Sequence, residues 1–312
     1  MLLLHLSDVD EAGWAEGFRT ALGTYPVVRR GDDFDPAAVR YIFVWKPRPD
    51  AFDGLSGLKA VLSLGAGVDA LLKHEQLPDV PVVRFVDEDL SQRMSDYVVA
   101  HVTMHHRLYT RFRADQKARR WSQLYPPAAS ETTVGIMGMG VLGQDAARRL
   151  APLGFTLRSW SRTEKQVDGV ESFVGTEQFD AFLAGTDILV NLLPLTPETT
   201  GILNYETFSK LARERLDGGP VIINAARGGH QREADIVRAL GDGTLAAASL
   251  DVFETEPLPA DSPLWAIENC YITPHIAAIS SEASGVRYFS DIIRAHEAGQ
   301  QLINVVDRAR GY

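Results

Sequence analysis

Residues 133–153 read Thr-Val-Gly-Ile-Met-Gly-Met-Gly-Val-Leu-Gly-Gln-Asp-Ala-Ala-Arg-Arg-Leu-Ala-Pro-Leu. The apolar run Thr133 to Met137 predicts a strand and Gln144 to Leu153 a helix, with G-x-G-x-x-G joining them at Gly138, Gly140 and Gly143. In that setting the first glycine permits a tight turn, the second lets backbone N–H groups approach a pyrophosphate, and the third allows close helix-to-strand packing. The helix N-terminus adds the positive end of a dipole. Glycines without such flanks describe a plain turn. Between a strand and a helix they describe a dinucleotide loop, with Gly138, Met139, Gly140, Val141, Leu142 and Gly143 as the cofactor-binding candidates.

The next apolar run, Thr156 to Ser161, ends in Ser161-Arg162-Thr163. An NAD-binding loop places an Asp or Glu at this point to hold the ribose 2′-hydroxyl. Here a guanidinium and two hydroxyls stand instead, and these suit a 2′-phosphate through charge-assisted hydrogen bonds. NADP(H) is therefore expected in preference to NAD(H). The competing reading makes Arg162 a solvated loop charge.

Further outward, short runs rich in Val, Ile, Leu and aromatics recur between helix-length segments. One series comprises Leu2 to Leu6, Tyr41 to Trp45, Ala60 to Leu64 and Val82 to Val86. The other continues from Thr133 through Ile188 to Leu192, Val221 to Asn224, Leu245 to Leu250 and Tyr271 to Thr273. This spacing predicts an α/β protein with two doubly wound parallel sheets. Ser91 to Trp121 contains no Gly or Pro and predicts one long helix, followed by the turn-rich Tyr125-Pro126-Pro127. The chain is expected to cross between domains there. Ser280 to Leu302 predicts a last helix returning to the first domain. The expected domains are 1–96 with 283–312, and 97–282 for the dinucleotide.

The chain has 312 residues, 45% hydrophobic and 23% charged, which fits about two globular domains and excludes a largely disordered chain. With 31 Lys and Arg against 41 Asp and Glu, its net charge of -10 offers no general basic field for nucleic acid or anionic lipid. Any anionic partner must be held locally. The single cysteine, Cys270, fits a reducing compartment. No uncharged stretch is long enough to span a bilayer, and the N-terminal Met-Leu-Leu-Leu-His-Leu lacks the flanks of a secretory signal, so a cytoplasmic protein is expected.

Three dispersed positions stand at the ends of predicted strands: Arg227 in Asn224-Ala225-Ala226-Arg227-Gly228, Glu256 in Asp251-Val252-Phe253-Glu254-Thr255-Glu256-Pro257, and His275 in Thr273-Pro274-His275. These segments, in this order after the glycine loop, resemble the D-isomer-specific 2-hydroxyacid dehydrogenase family over essentially the whole chain. Four further stretches resemble its glyoxylate/hydroxypyruvate reductase A subfamily. They are Val44-Trp45-Lys46-Pro47, Leu64-Gly65-Ala66-Gly67-Val68-Asp69, Ser161-Arg162-Thr163 and the tail Val306 to Tyr312.

The resemblance implies a deep cleft between the domains, a homodimer, and NADPH-dependent reduction of short 2-keto acids such as glyoxylate and hydroxypyruvate. It implies that His275 donates a proton, that Glu256 orients it, and that Arg227 holds the keto and carboxylate oxygens. Those assignments suit hydride transfer, which builds negative charge on a carbonyl oxygen while a positioned acid supplies the proton. Glu254 competes with Glu256 on sequence, and the family pattern favours the Glu before Pro257. Leu193, Pro194, Ala225, Ala226, Arg227, Asp251 and His275 are further implied cofactor contacts. Trp45, Gly65, Ala66 and Gly67, with Arg227 and His275, are the implied substrate contacts.

Gly65 to Val68 follows a strand and opens a short helix, so its N–H groups suit a carboxylate, although the same pattern describes an ordinary turn. Arg84 and Met94 are weaker pocket candidates. His101 and His105 are spaced i, i+4, but no H-E-x-x-H pattern or third ligand accompanies them, so no metal is expected. Two other functions share these motifs: a dehydrogenase of a different 2-hydroxy acid, and a nucleotide-sensing corepressor-like binding protein.

Overall fold

A computed structural model describes residues 1–312. The chain divides into two compact units, Met1–Leu90 with Ile279–Tyr312, and Ser91–Ala278. The divisions fall at 90/91 and 278/279, a few residues before the 96/97 and 282/283 expected from sequence.

The smaller unit contains β1 (Leu2–Leu6), α1 (Glu11–Leu22), β2 (Val27–Arg29), β3 (Tyr41–Trp45), β4 (Ala60–Ser63), α2 (Asp69–Leu72) and β5 (Val82–Arg84). Its five strands are all parallel, in the order β2-β1-β3-β4-β5. β1, β3 and β4 are buried along nearly their whole length, as strands covered on both faces must be, and this explains their continuous apolar runs. Phe18, Phe43, Phe85 and Phe289 form a buried aromatic cluster, the last contributed by the returning C-terminal segment. That segment also covers the sheet edge, where Val306 N–H donates to Val82 O and Arg84 N–H donates to Asn304 O.

α3 (Glu88–His106) passes from the smaller unit into the larger. The larger unit continues with α4 (Tyr109–Lys117), β6 (Thr133–Met137), α5 (Val141–Leu150), β7 (Thr156–Ser161), β8 (Val170–Val174) and α6 (Phe179–Ala184). It then adds β9 (Ile188–Asn191), α7 (Tyr205–Ser209), β10 (Val221–Asn224), α8 (Glu233–Asp242), β11 (Ala247–Leu250) and β12 (Cys270–Ile272). α9 (Glu282–Glu297) belongs to the smaller unit. The seven parallel strands lie in the order β8-β7-β6-β9-β10-β11-β12, which is 3-2-1-4-5-6-7 counted from β6. The order reverses between β6 and β9, so the loop after β6 opens at the point where doubly wound sheets hold nucleotides.

The single helix expected over 91–121 is two helices. Leu108 adopts a left-handed backbone, φ 58°, and starts α4 in a new direction while its side chain stays buried. The expectation failed because leucine normally avoids this conformation, so no glycine or proline marks the break. The sequence reading also passed over β2 and β8. Both are edge strands, one of three residues and the other half-exposed, without the unbroken apolar run of a central strand.

Candidate active site

The glycine loop is built as its spacing requires. Gly138 has φ 96°, and a side chain there would strike the Leu192 carbonyl at 2.7 Å; one at Gly143 would strike the Gly138 carbonyl at 2.0 Å. A Cβ at Gly140 would meet nothing within 4 Å, so the loop is open on the side where a pyrophosphate would lie. α5 begins at Val141, and its ten residues supply a run of aligned peptide dipoles behind the loop. Val141 is exposed, whereas the Met139 side chain is buried in the core, leaving only its backbone to face a ligand. At the end of β7, Ser161 Oγ donates to Thr163 O at 2.8 Å and shapes a turn on which Arg162 and Thr163 are exposed. These residues fit a dinucleotide carrying a 2′-phosphate.

Three more loops lie at the same ends of the strands, and a buried amide network joins them. Asn191 Nδ2 donates to Asn224 Oδ1 (3.0 Å), Asn224 Nδ2 to Gln231 Oε1 (2.8 Å), and Gln231 Nε2 to Val252 O (2.9 Å). Asn191 Oδ1 accepts the Leu193 N–H, and Asn224 Oδ1 accepts the Ala226 N–H. His230, fully buried, faces Pro194 O and Arg227 O with its two ring nitrogens at 3.2 Å each. The network thus fixes Leu193, Pro194, Ala225, Ala226 and Arg227 relative to one another. Asn191, Gln231 and His230 were missed from sequence; the one available signal was an amide ending an apolar strand.

Gly228 lets the Arg227 loop approach the segment after β11, since any Cβ there would overlap the Phe253 carbonyl at 1.8 Å. Arg227 Nη1 donates to the Ala226 carbonyl at 2.7 Å, and its charge bears on Glu256. Glu256 Oε1 accepts the Phe253 N–H at 3.0 Å, and Glu256 Oε2 meets His275 Nδ1 at 2.7 Å. Burial opposes ionisation of Glu256, but the His275 hydrogen bond, the Phe253 N–H and the Arg227 charge outweigh it and hold the carboxyl below its usual range. Glu254 points elsewhere: its Oε1 accepts the Glu233 N–H at the start of α8, while its own N–H donates to Glu233 Oε1. The structure therefore brings Arg227, Glu256 and His275 together and excludes Glu254 from the pair.

His275 follows β12 with a left-handed backbone, φ 55°. Its side chain is 43% exposed, so the imidazole is open to an incoming molecule. The buried Asp251 carboxylate accepts the Thr273 hydroxyl and the Ile276 and Ala277 N–H groups, and so clasps the loop that bears His275.

In the smaller unit, Trp45 ends β3 and lies on the loop after β4, where a Cβ on Gly65 would come within 2.9 Å of its ring. The following turn holds Lys46 at φ 46° and is fastened where Arg48 N–H donates to His5 Nε2 at 3.2 Å. Gly65 is buried, Ala66 half-buried and Gly67 exposed. α2 is only four residues long, so the helix expected to reinforce this loop contributes little dipole. Arg84, at the end of β5, is half-buried, and burial lowers its pKa. Met94 is a core residue packed with Val98 and Val102.

The family profile described as D-isomer specific 2-hydroxyacid dehydrogenase, NAD binding domain, matches residues 99–277, more than half of the chain. A protein named glyoxylate/hydroxypyruvate reductase A from Yersinia enterocolitica is 43% identical over 307 residues, covering 96% of each chain. Among solved structures, an NADPH-dependent glyoxylate/hydroxypyruvate reductase from Sinorhizobium meliloti in complex with NADP and sulfate is 44% identical with TM-score 0.94, covering 100% of this chain and 99% of its own. A D-isomer specific 2-hydroxyacid dehydrogenase from Xanthobacter autotrophicus in complex with NADPH and MES is 43% identical, also with TM-score 0.94 and the same coverage. With its glycine loop, its Arg227–Glu256–His275 cluster and these matches, the chain belongs to the D-isomer-specific 2-hydroxyacid dehydrogenase family.

Proposed function

We propose that the protein is an NADPH-dependent reductase of short 2-keto acids, converting glyoxylate to glycolate and hydroxypyruvate to glycerate. The observation that carries this reading is the 2.7 Å contact between His275 Nδ1 and Glu256 Oε2 beside Arg227. When bound, NADPH supplies a hydride to the keto carbon. Glu256 accepts the Nδ1–H of His275, which leaves Nε2 of the imidazolium to give its proton to the carbonyl oxygen as charge develops there. Arg227 presents a planar fork to the keto oxygen and one carboxylate oxygen, aligning the carbon and offsetting the substrate charge. The backbone N–H groups of Gly65, Ala66 and Gly67 receive the carboxylate beneath the ring of Trp45, while Arg162 and Thr163 take the 2′-phosphate. Leu193, Pro194, Ala225 and Ala226 line the nicotinamide end. Asp251 takes part through the loop it clasps.

The names and bound nucleotides of the relatives support the substrate and the cofactor. We place the protein in the cytoplasm as a homodimer. No helix is long and apolar enough to cross a membrane, and Tyr109, Trp121 and Tyr125 are 63%, 92% and 86% exposed within one short stretch, as residues awaiting a second copy would be. Nucleotide oxidation by purified protein tests the reading with glyoxylate, hydroxypyruvate and larger 2-keto acids, each with NADPH and NADH. Higher kcat/KM for the two short acids with NADPH is expected. Equal or better use of NADH would overturn the cofactor preference, and nucleotide binding without turnover would favour the sensor.

A further inference from the structure

We propose that Tyr97 of α3 is a positioning residue for His275, acting through Thr273 and Asp251; this rests on the reading of His275 as proton donor. A non-glycine residue at φ 55° is costly to hold, and the clasp that holds it is specific. Asp251 Oδ1 accepts the Thr273 Oγ1–H at 2.6 Å and the Ile276 N–H at 2.9 Å, Asp251 Oδ2 accepts the Ala277 N–H at 2.9 Å, and the Asp251 carbonyl accepts the His275 N–H at 2.8 Å. Four of the bonds that hold this loop run to Asp251, three of them to its carboxylate, so the orientation of that carboxylate bears directly on the backbone that carries His275.

Thr273 has a single hydroxyl proton, and it is directed at Asp251. At the 3.0 Å contact between Tyr97 Oη and Thr273 Oγ1, the phenol is therefore the donor. Burial raises the pKa of Tyr97, so it remains a protonated donor near neutrality. A threonine hydroxyl can swing its proton toward another neighbour unless that neighbour is itself a donor. Tyr97 is such a donor, which leaves the proton aimed at Asp251.

The helix that carries Tyr97 is held in register by the residues on the same face. The His101 ring lies 4.1 Å from that of Tyr97, and His101 Nδ1 and His105 Nε2 meet Ser249 Oγ at 2.7 and 2.8 Å. Ser249 stands on β11, two residues before Asp251. Its one hydroxyl donates to one imidazole and accepts from the other, which fixes the rings in complementary tautomers. The i, i+4 histidines thus set the height of Tyr97 against β11 and the His275 loop.

The test compares Tyr97→Phe, Thr273→Val, Thr273→Ser and the double variant Tyr97→Phe/Thr273→Val with the wild type. Kinetics and amide hydrogen exchange over residues 273–277 are the readouts. In Tyr97→Phe, kcat is expected to fall about tenfold with the KM values for NADPH and glyoxylate nearly unchanged, and the Ile276 and Ala277 amides to exchange faster. Thr273→Ser keeps the hydroxyl and should retain most of kcat; Thr273→Val should not. The double variant should be no slower than Thr273→Val alone, because both break one chain of bonds. Wild-type kcat with wild-type exchange in Tyr97→Phe, or a lower melting temperature as its only effect, would overturn the inference. Exchange is measured without nucleotide or substrate, so it decides the matter even if the wild type turns over no 2-keto acid, a failure that would count against the function and not against the clasp.

Discussion

The chain contains two glycine loops that look alike as strings, Gly65-Ala66-Gly67 and Gly138-Met139-Gly140, the first one residue past a parallel strand and the second directly after one. Their physics differs. The second leads into a ten-residue helix, and backbone carbonyls prohibit side chains at Gly138 and Gly143, while Gly140 faces open space. The first leads into a four-residue helix, and the group nearest Gly65 other than its own loop is the ring of Trp45. A loop backed by a helix dipole suits a multiply charged pyrophosphate, whereas a loop roofed by an indole suits a small carboxylate whose size the roof limits. On the proposed function, the larger unit's loop would hold the cofactor, and the smaller unit's loop would add to Arg227 in holding the acid.

The sharpest break would come from the proton-handling pair. Glu256→Gln should lower kcat about a hundredfold while leaving the KM for NADPH nearly unchanged, because an amide holds the imidazole without stabilising its charge. Steady-state rates at saturating nucleotide check this. Gly140→Val places a branched side chain in the space left for the pyrophosphate and should raise the KM for NADPH by at least about tenfold with little effect on that for glyoxylate. Gly65→Ala should do the reverse. Displacing the Trp45 ring should raise the KM for glyoxylate about threefold to tenfold and leave nucleotide binding alone. If Gly65→Ala weakened NADPH instead, the division between the two loops would fail.

A smaller effect concerns pH and the wall behind the larger unit's site. Burial lowers His101 to about 4 and His105 to about 3, the latter with help from the former's charge. Both stay neutral when folded and take up protons at higher pH when unfolded. Stability is therefore intact above the unfolded value of 6.5 and falls as pH drops from there toward the folded values. Glu256 acts in the same direction at lower pH: its depressed pKa contributes stability above its usual value of 4.5 that is lost as pH falls through the folded one. His105 alone should cost about 2 kcal/mol at about pH 5, so His105→Gln should flatten the fall in melting temperature below about pH 6.5. A fall as steep as that of the wild type would contradict this.

How legible these features were depended on whether their cause is local. The loop at Gly138 to Gly143 was readable because strand, turn and helix are adjacent in the chain and each glycine has its own steric reason. Arg227, Glu256 and His275 were legible through motifs at strand ends, but the choice between Glu254 and Glu256 was settled by Glu233, some 20 residues away, which occupies Glu254. Tyr97 carried no signal, because its partner Thr273 lies 176 residues further on. Asp251 was read as a cofactor contact; that its carboxylate also holds the His275 loop was something periodicity could not show. The break at Leu108 escaped notice because a buried leucine imposes it.

The account turns on His275. Binding of NADPH by fluorescence titration and kcat with glyoxylate, measured side by side for the wild type and His275→Ala, test it most directly. The expected result is a nearly unchanged Kd for NADPH with kcat lowered by about a hundredfold or more and circular dichroism preserved. A correctly folded His275→Ala protein that reduces glyoxylate at close to the wild-type rate would contradict it.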